Sequence, residues 1–238
     1  MSVIFRLFAI GSASLLCLLA GFSNAFALEG AWTDLNPDST ERITSDNLMD
    51  VDFVSASTGL IVGANGTILL TTDRGATWVA AANGTAETLD GVDFVDASHA
   101  TVVGANGTIL RSSDGGATWV VQTSGTTKSR SDVHFIDALT GWVVGDAGTV
   151  LRTTDGGSNW IAGNSGTTLK LIAVNFIDAQ NGYAVGHVGL LQTTDGGGSW
   201  IHRLDVRVCY NDHGVLQCNG FFDVCFVDAS IGFVVGYD

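Results

Sequence analysis

One phrase recurs four times in this chain. It reads Thr71-Thr72-Asp73-Arg74-Gly75-Ala76-Thr77-Trp78, and returns around Asp114, Gly116 and Trp119, around Asp155, Gly157 and Trp160, and around Asp195, Gly197 and Trp200. A fixed period names an architecture before any residue has a role, because each repeat is one supersecondary unit that needs neighbours to bury its faces. It also sorts residues. What recurs builds the unit, and what occurs once is the better candidate for function.

The unit is legible around the phrase. Phe53, Phe94, Phe135 and Phe176 are spaced by 41 residues, and Phe226 follows after 50. Each sits in a short alternating segment such as Val92-Asp93-Phe94-Val95, the pattern of a strand. A second apolar run ends in glycine, as in Leu60-Ile61-Val62-Gly63 and Trp142-Val143-Val144-Gly145. Asn65-Gly66 and Asn106-Gly107 then supply tight turns, since Asn-Gly tolerates positive φ at both central positions. A third strand, such as Thr108 to Ser112, leads into the Asp phrase, and a fourth begins near its tryptophan. The aspartate accepts backbone N–H bonds within its own turn, and the glycine two residues on takes the left-handed conformation. Four short antiparallel strands per unit predict an all-β chain: a β-propeller of four-stranded blades.

The ends of the chain read differently. Residues 1–27 carry Arg6, an apolar stretch from Leu7 to Leu19 that is short for a membrane span, and Ala25-Phe26-Ala27, which together predict a cleaved signal peptide. Residues 28–47 form an N-terminal segment in which Trp32 could supply a closing strand, and residues 48–238 hold the repeats, with an insert at 203–222. Export leaves 9 basic residues against 24 acids, a formal charge of −15. A field of that sign argues against nucleic acid as a partner. Cys209, Cys218 and Cys225 remain, and an oxidising compartment predicts one disulfide. Cys209 and Cys218 bracket a hairpin tip at Asp212-His213-Gly214 and are the expected pair.

The Ser/Thr-x-Asp-x-Gly-x-Thr-Trp phrase resembles the Asp-box, or bacterial neuraminidase repeat, of sialidases, xyloglucanases, sortilin-type receptors and photosystem II assembly factors. The longer pattern narrows this. Phe135-Ile136-Asp137, Gly141 to Gly145, Gly148 to Arg152 and Asp155-Gly156-Gly157 are similar to the photosystem II assembly/stability factor family. That resemblance covers residues 48–238. It implies a seven-bladed propeller, exported to a lumen or periplasm, acting without catalysis as an assembly chaperone for membrane complexes. This chain departs from it by carrying four complete units and a fifth that stops at Gly236-Tyr237-Asp238, so an incomplete propeller is expected.

The repeated acids Asp73, Asp114, Asp155 and Asp195 are read as turn-holders, with no catalytic residue assigned, since acid–base chemistry needs two different environments. Asp96, Asp137, Asp178 and Asp228 recur after the first strand as corner residues. A sialidase would need a tyrosine nucleophile backed by a glutamate. The mature tyrosines are Tyr183, Tyr210 and Tyr237 and the glutamates are Glu29, Glu41 and Glu87, none in a distinctive setting. A fragment of an Asp-box glycoside hydrolase stays as the alternative, with carbohydrate as its ligand, and a structural cell-surface repeat protein as a second. No cofactor or metal is expected, because Cys209, His213 and Cys218 match no standard zinc spacing. His99, His134 and His187 read as surface or turn residues. Arg111 and Arg152, at equivalent third-strand sites, read as solvated. Lys128, Arg130 and Lys170 fall between units, and with Asp146 and His187 in the second-to-third-strand turns they would share one rim. That rim is the candidate surface for a protein partner, a membrane complex or its precursor.

Overall fold

The computed structural model describes residues 44–204, 220–226 and 231–236. Most of the N-terminal segment, Cys209, Cys218 and Asp228 lie outside them. The described chain forms four antiparallel sheets of four strands and one strand pair, each in simple up-and-down order. Blade 1 comprises β1 (Leu48–Phe53), β2 (Gly59–Gly63), β3 (Ile68–Thr71) and β4 (Val79–Ala80). Blade 2 comprises β5 (Leu89–Phe94), β6 (Ala100–Gly104), β7 (Ile109–Ser112) and β8 (Val120–Val121). Blade 3 follows with β9 (Arg130–Phe135), β10 (Gly141–Gly145), β11 (Val150–Thr153) and β12 (Ile161–Ala162). Blade 4 has β13 (Leu171–Phe176), β14 (Gly182–Gly186), β15 (Gly189–Thr193) and β16 (Ile201–Leu204), and blade 5 has β17 (Phe221–Phe226) and β18 (Gly232–Gly236). The architecture is that of a propeller.

First strands pack side by side from blade to blade, β1 on β5, β5 on β9, β9 on β13 and β13 on β17. They therefore form the inner edge of the arc. In blades 1 to 3, where the fourth strand is two residues long, Val79, Val120 and Ile161 at the outer edge are exposed. Second strands β2, β6 and β10 are buried along their whole length, and β6 and β10 have a described blade on each side. That two-sided burial is why they read as continuous apolar runs rather than alternating ones.

The core lies between blades rather than within them. Leu60, Val62 and Ile68 of blade 1 meet Leu89, Val92 and Phe94 of blade 2. Val103 and Ile109 meet Val133 and Phe135 at the next interface. Trp142, Val144 and Val150 meet Leu171, Val174 and Phe176 at the third. Phe135, Phe176 and Phe226 each receive a flat group from the blade before them. Trp142 stacks on Phe176 with centroids 3.5 Å apart and planes at 5°, and Tyr183 on Phe226 at 3.7 Å and 8°. Arg111 takes that place over Phe135, 4.4 Å from the ring centroid. The tryptophans of the Asp turns meet the same rings edge-on, as in Phe53–Trp78, Phe135–Trp160 and Phe176–Trp200.

This stacking corrects the reading of Arg111 as a solvated strand position. Its side chain is buried, and it donates to Thr101 Oγ1 at 2.5 Å and to the Ala138 carbonyl at 2.6 Å. The adjoining blade turns an outward strand position into an interior one. Arg152, its counterpart, is half-buried and lines a cleft of about 320 Å³ with Thr154, Ile161, Gly163 and Gly197 between blades 3 and 4.

Candidate protein-binding rim and the acids of the inner edge

The four Asp turns share one hydrogen-bond pattern. Thr71 Oγ1 donates to Asp73 Oδ1 at 2.9 Å and accepts from Gly75 N at 2.9 Å, while Asp73 accepts from Thr77 N at 2.8 Å and Thr77 Oγ1 at 2.6 Å. Ser112, Asp114, Gly116 and Thr118 repeat it, as do Thr153, Asp155, Gly157 and Asn159, and Thr193, Asp195, Gly197 and Ser199. The pattern requires a left-handed glycine at its centre, and Gly75 and Gly116 have φ of 81° and 88°. Side-chain bonds from Thr77, Thr118, Asn159 and Ser199 are the largest influence holding these carboxyls below their ordinary pKa, Asp195 at about 2. Each of the four acids accepts three hydrogen bonds from its own turn. Asp96, Asp137 and Asp178 cap the first-strand corners likewise, each accepting from two following amides.

The rim is built from the link that precedes each first strand and from the tight turn between the second and third strands. Backbone bonds hold the two together: Ala64 N to Asn47 O, Ala105 N to Thr88 O, Asp146 N to Ser129 O and His187 N to Lys170 O. The structure thereby brings Lys170, Asp146 and His187 to one place. Lys170 spans two blades, bonding His187 through its carbonyl and reaching Asp146 Oδ1 of blade 3 at 3.6 Å through Nζ. Lys128, in the preceding link, and His187 are both exposed. Arg130 is not part of that surface. It opens β9 rather than lying in the link, is 1% exposed, and holds the link from below by donating to the Lys128 carbonyl and, at 3.1 Å, to Ser124 Oγ.

Charge varies around the rim. Asp46, Glu87, Lys128 and Leu169 occupy equivalent positions, 41 residues apart. In the first two blades the acid is tied down by the turn's asparagine, Asn65 Nδ2 to Asp46 at 2.8 Å and Asn106 Nδ2 to Glu87 at 2.8 Å. In blade 3 the equivalent residue is an exposed lysine, and Ala147, which has no polar side-chain group, stands where the turn's asparagine was. The rim therefore passes from a half whose carboxylates are held by the turn to a half that carries Lys128 and the Lys170–Asp146 pair. Aligning the repeats by their 41-residue period would have exposed this exchange.

The sequence reading missed a second set of acids, on the first strands. Asp50 accepts from Val51 N at 2.8 Å through one oxygen and from Val92 N of the next blade at 2.9 Å through the other. Asp52 does the same with Phe53 N and Phe94 N, and Asp132 with Val133 N and Val174 N. Asp93 bonds Phe135 N at 3.1 Å, and Asn175 bonds Phe226 N at 3.0 Å. Burial is the leading cause that pushes these carboxyls up, Asp50 to about 8 and Asp132 to about 7, with Asp93 well above the usual range. His134 joins this edge rather than the surface. Its Nε2 lies 3.1 Å from the Phe176 carbonyl, and burial pulls its pKa down to about 4. The signal was present as x-Asp-x-Phe in the alternating segments, but alternation alone does not show a neighbouring strand with donors to satisfy.

Cys225 on β17 is buried and disulfide-bonded. The expected Cys209–Cys218 pairing falls outside the described residues. Among the described residues no cluster of three or more His, Cys, Asp or Glu is arranged to hold a metal ion.

Repeated Asp turns on stacked four-stranded sheets define an Asp-box β-propeller. A family described as the photosynthesis system II assembly factor YCF48 matches residues 80–162 and 120–208, and the chain belongs to it. Among solved structures, YCF48 from Cyanidioschyzon merolae is similar at 22% identity and a TM-score of 0.58, over 78% of this chain and 62% of that one. A YCF48 bound to D1 peptide aligns at 17% identity and a TM-score of 0.48, over 82% and 91%. An ancestral GH74 enzyme aligns at 20% identity and 0.57, over 68% of this chain and 25% of that enzyme. No curated protein matches the chain.

Proposed function

We propose that this chain is an exported, protein-binding propeller that serves as an assembly factor, without catalysis of its own, for a membrane complex or its precursor. The observation that carries this reading is the family match over residues 80–208, which contains Lys128, Asp146, Lys170 and His187. The family is named for an assembly factor, and one YCF48 structure holds a D1 peptide; binding of that kind is brought to this chain as the proposal. The geometry supports it in kind. Lys128 and Lys170 are exposed on the links at successive blade junctions, Lys170 beside Asp146, where a peptide carrying carboxylates would meet cations on a chain that is otherwise strongly acidic.

The test is binding of the purified chain to immobilised terminal peptides of membrane proteins, read by surface plasmon resonance. The double variant Lys128→Ala/Lys170→Ala should lose most binding, about tenfold or more, with an unchanged melting temperature, because both side chains are solvated. Undiminished binding by the double variant would remove the rim from the proposal. Export is tested separately, by whether residues 1–27 carry a reporter out of the cytoplasm and are cleaved from it.

A further inference from the structure

The inner edge of the arc holds more negative charge than its structural duty needs. Five first strands meet there, and successive blades are joined across it by side-chain oxygens: Asp50 to Val92 N, Asp52 to Phe94 N, Asp93 to Phe135 N, Asp132 to Val174 N and Asn175 to Phe226 N. The last junction is made by a neutral amide. An uncharged acceptor is therefore sufficient for the bond, and four carboxylates do what one asparagine also does.

The geometry places these carboxylates close together. A bulge falls immediately before Asp50 and Asp132 in their strands, redirecting both acids towards the next blade. Gly91 stands at the equivalent site between them. A Cβ there would lie 3.1 Å from the Asp132 Cα, so its absence lets β9 approach β5 and brings Asp132 within electrostatic reach of Asp50. Asp52 also faces Asp50, and Asp132 faces Asp52 and, from β17, Asp223. Asp93 faces Asp52 and Asp132, with the Arg111 guanidinium of β7 as its opposing cation and His134 Nδ1 at 3.9 Å from it. His134 is neutral around pH 7. Against Asp50 and Asp132, burial and a neighbouring acid outweigh the two amide bonds each accepts.

We propose that the inner-strand carboxylates form a proton-operated latch, in which proton uptake by Asp50 and Asp132 relieves repulsion along the inner edge and tightens the stacking of blades 1 to 4, while ionisation loosens it. A protonated acid keeps its carbonyl oxygen for one amide and yields the other. The balance of burial and repulsion over hydrogen bonding fixes the sign. Raised folded pKa values mean that the stabilisation is complete below the unfolded value of 3.8 and is lost as pH rises through about 7 and 8. His134 works in the opposite direction, but only between its unfolded 6.5 and folded 4 or so. His134 therefore adds little above pH 6.5, while Asp52 and Asp93, also pushed up by burial, add a pH dependence that the double variant below retains.

The experiment is urea denaturation of the full chain at pH 6.5 and pH 8.5. For two groups titrating at about 7 and 8, the unfolding constant should rise about a hundredfold over that interval. The double variant Asp50→Asn/Asp132→Asn, which uses the uncharged amide acceptor seen at Asn175, should lose that hundredfold part of the rise. A double variant that keeps the full pH dependence overturns the proposal, as does a wild-type chain with none. Should the variant fail to fold, the wild-type infrared spectrum decides. A protonated-carboxyl band present at pH 6 and gone by pH 9 supports the latch, and its absence at pH 6 overturns it.

Discussion

Replacing Trp142 with alanine should nearly unfold this protein. The side chain is 0% exposed, lies flat on Phe176 at 3.5 Å, and donates from Nε1 to the Gly196 carbonyl at 2.8 Å. It belongs to blade 3 while both partners belong to blade 4, so its whole contribution is to the junction. Truncating a buried tryptophan costs about 3–5 kcal/mol through lost transfer energy and the cavity left behind. Leaving the Gly196 carbonyl buried without its donor adds about 1–3 kcal/mol. The expected loss is roughly 5 kcal/mol against a typical domain stability of about 5–15 kcal/mol. Trp142→Phe keeps a ring for Phe176 and loses the donor, so about 1–3 kcal/mol is expected. Urea titration followed by far-UV circular dichroism suits the measurement, because tryptophan emission itself changes in these variants. A double cycle with Phe176→Ala should show coupling above about 1 kcal/mol. If Trp142→Ala stayed within about 1 kcal/mol of wild type with an unchanged denaturant slope, the claim that inter-blade stacking holds the arc together would fail.

Arg111→Ala removes two hydrogen bonds and a cation over Phe135, and should cost about 3 kcal/mol in a melt; Arg111→Lys should recover little, since an ammonium cannot lie flat on the ring while reaching both Thr101 and Ala138. Asp195→Ala should lower the melting temperature at neutral pH and flatten its fall in acid. The wild-type carboxyl is depressed to about 2, so its stabilisation is present above 3.8 and is lost as pH falls through 2. Melts between pH 4 and pH 1.5 read that difference, and an acid profile identical to wild type would contradict the turn-holding role.

Much of the fold was legible because the repeat writes the same local chemistry several times. Asn65 and Gly66 both take positive φ, at 56° and 71°, as the Asn-Gly pair predicts. Asp73 and Thr77 are four residues apart, so their bond is decided within the turn. The less legible features join residues about 42 positions apart. Asp50 looks like any polar residue of an alternating strand until Val92 presents its amide. Arg111 looks solvent-facing for the same reason: hydropathy describes a side chain, whereas burial depends on what the next blade places over it. The rim was partly legible, since Lys170, Asp146 and His187 do converge, yet Arg130 sits beneath that surface.

Strand order, turn type and the self-contained Asp turns are therefore properties of the chain's local sequence, because their hydrogen bonds close within a few residues. Which acids are strained, which arginine is interior and which cations face a partner depend on blades stacking about a common edge. Stacking strips water from groups whose neighbours come from a different repeat, and desolvation, unlike turn chemistry, has no local spelling.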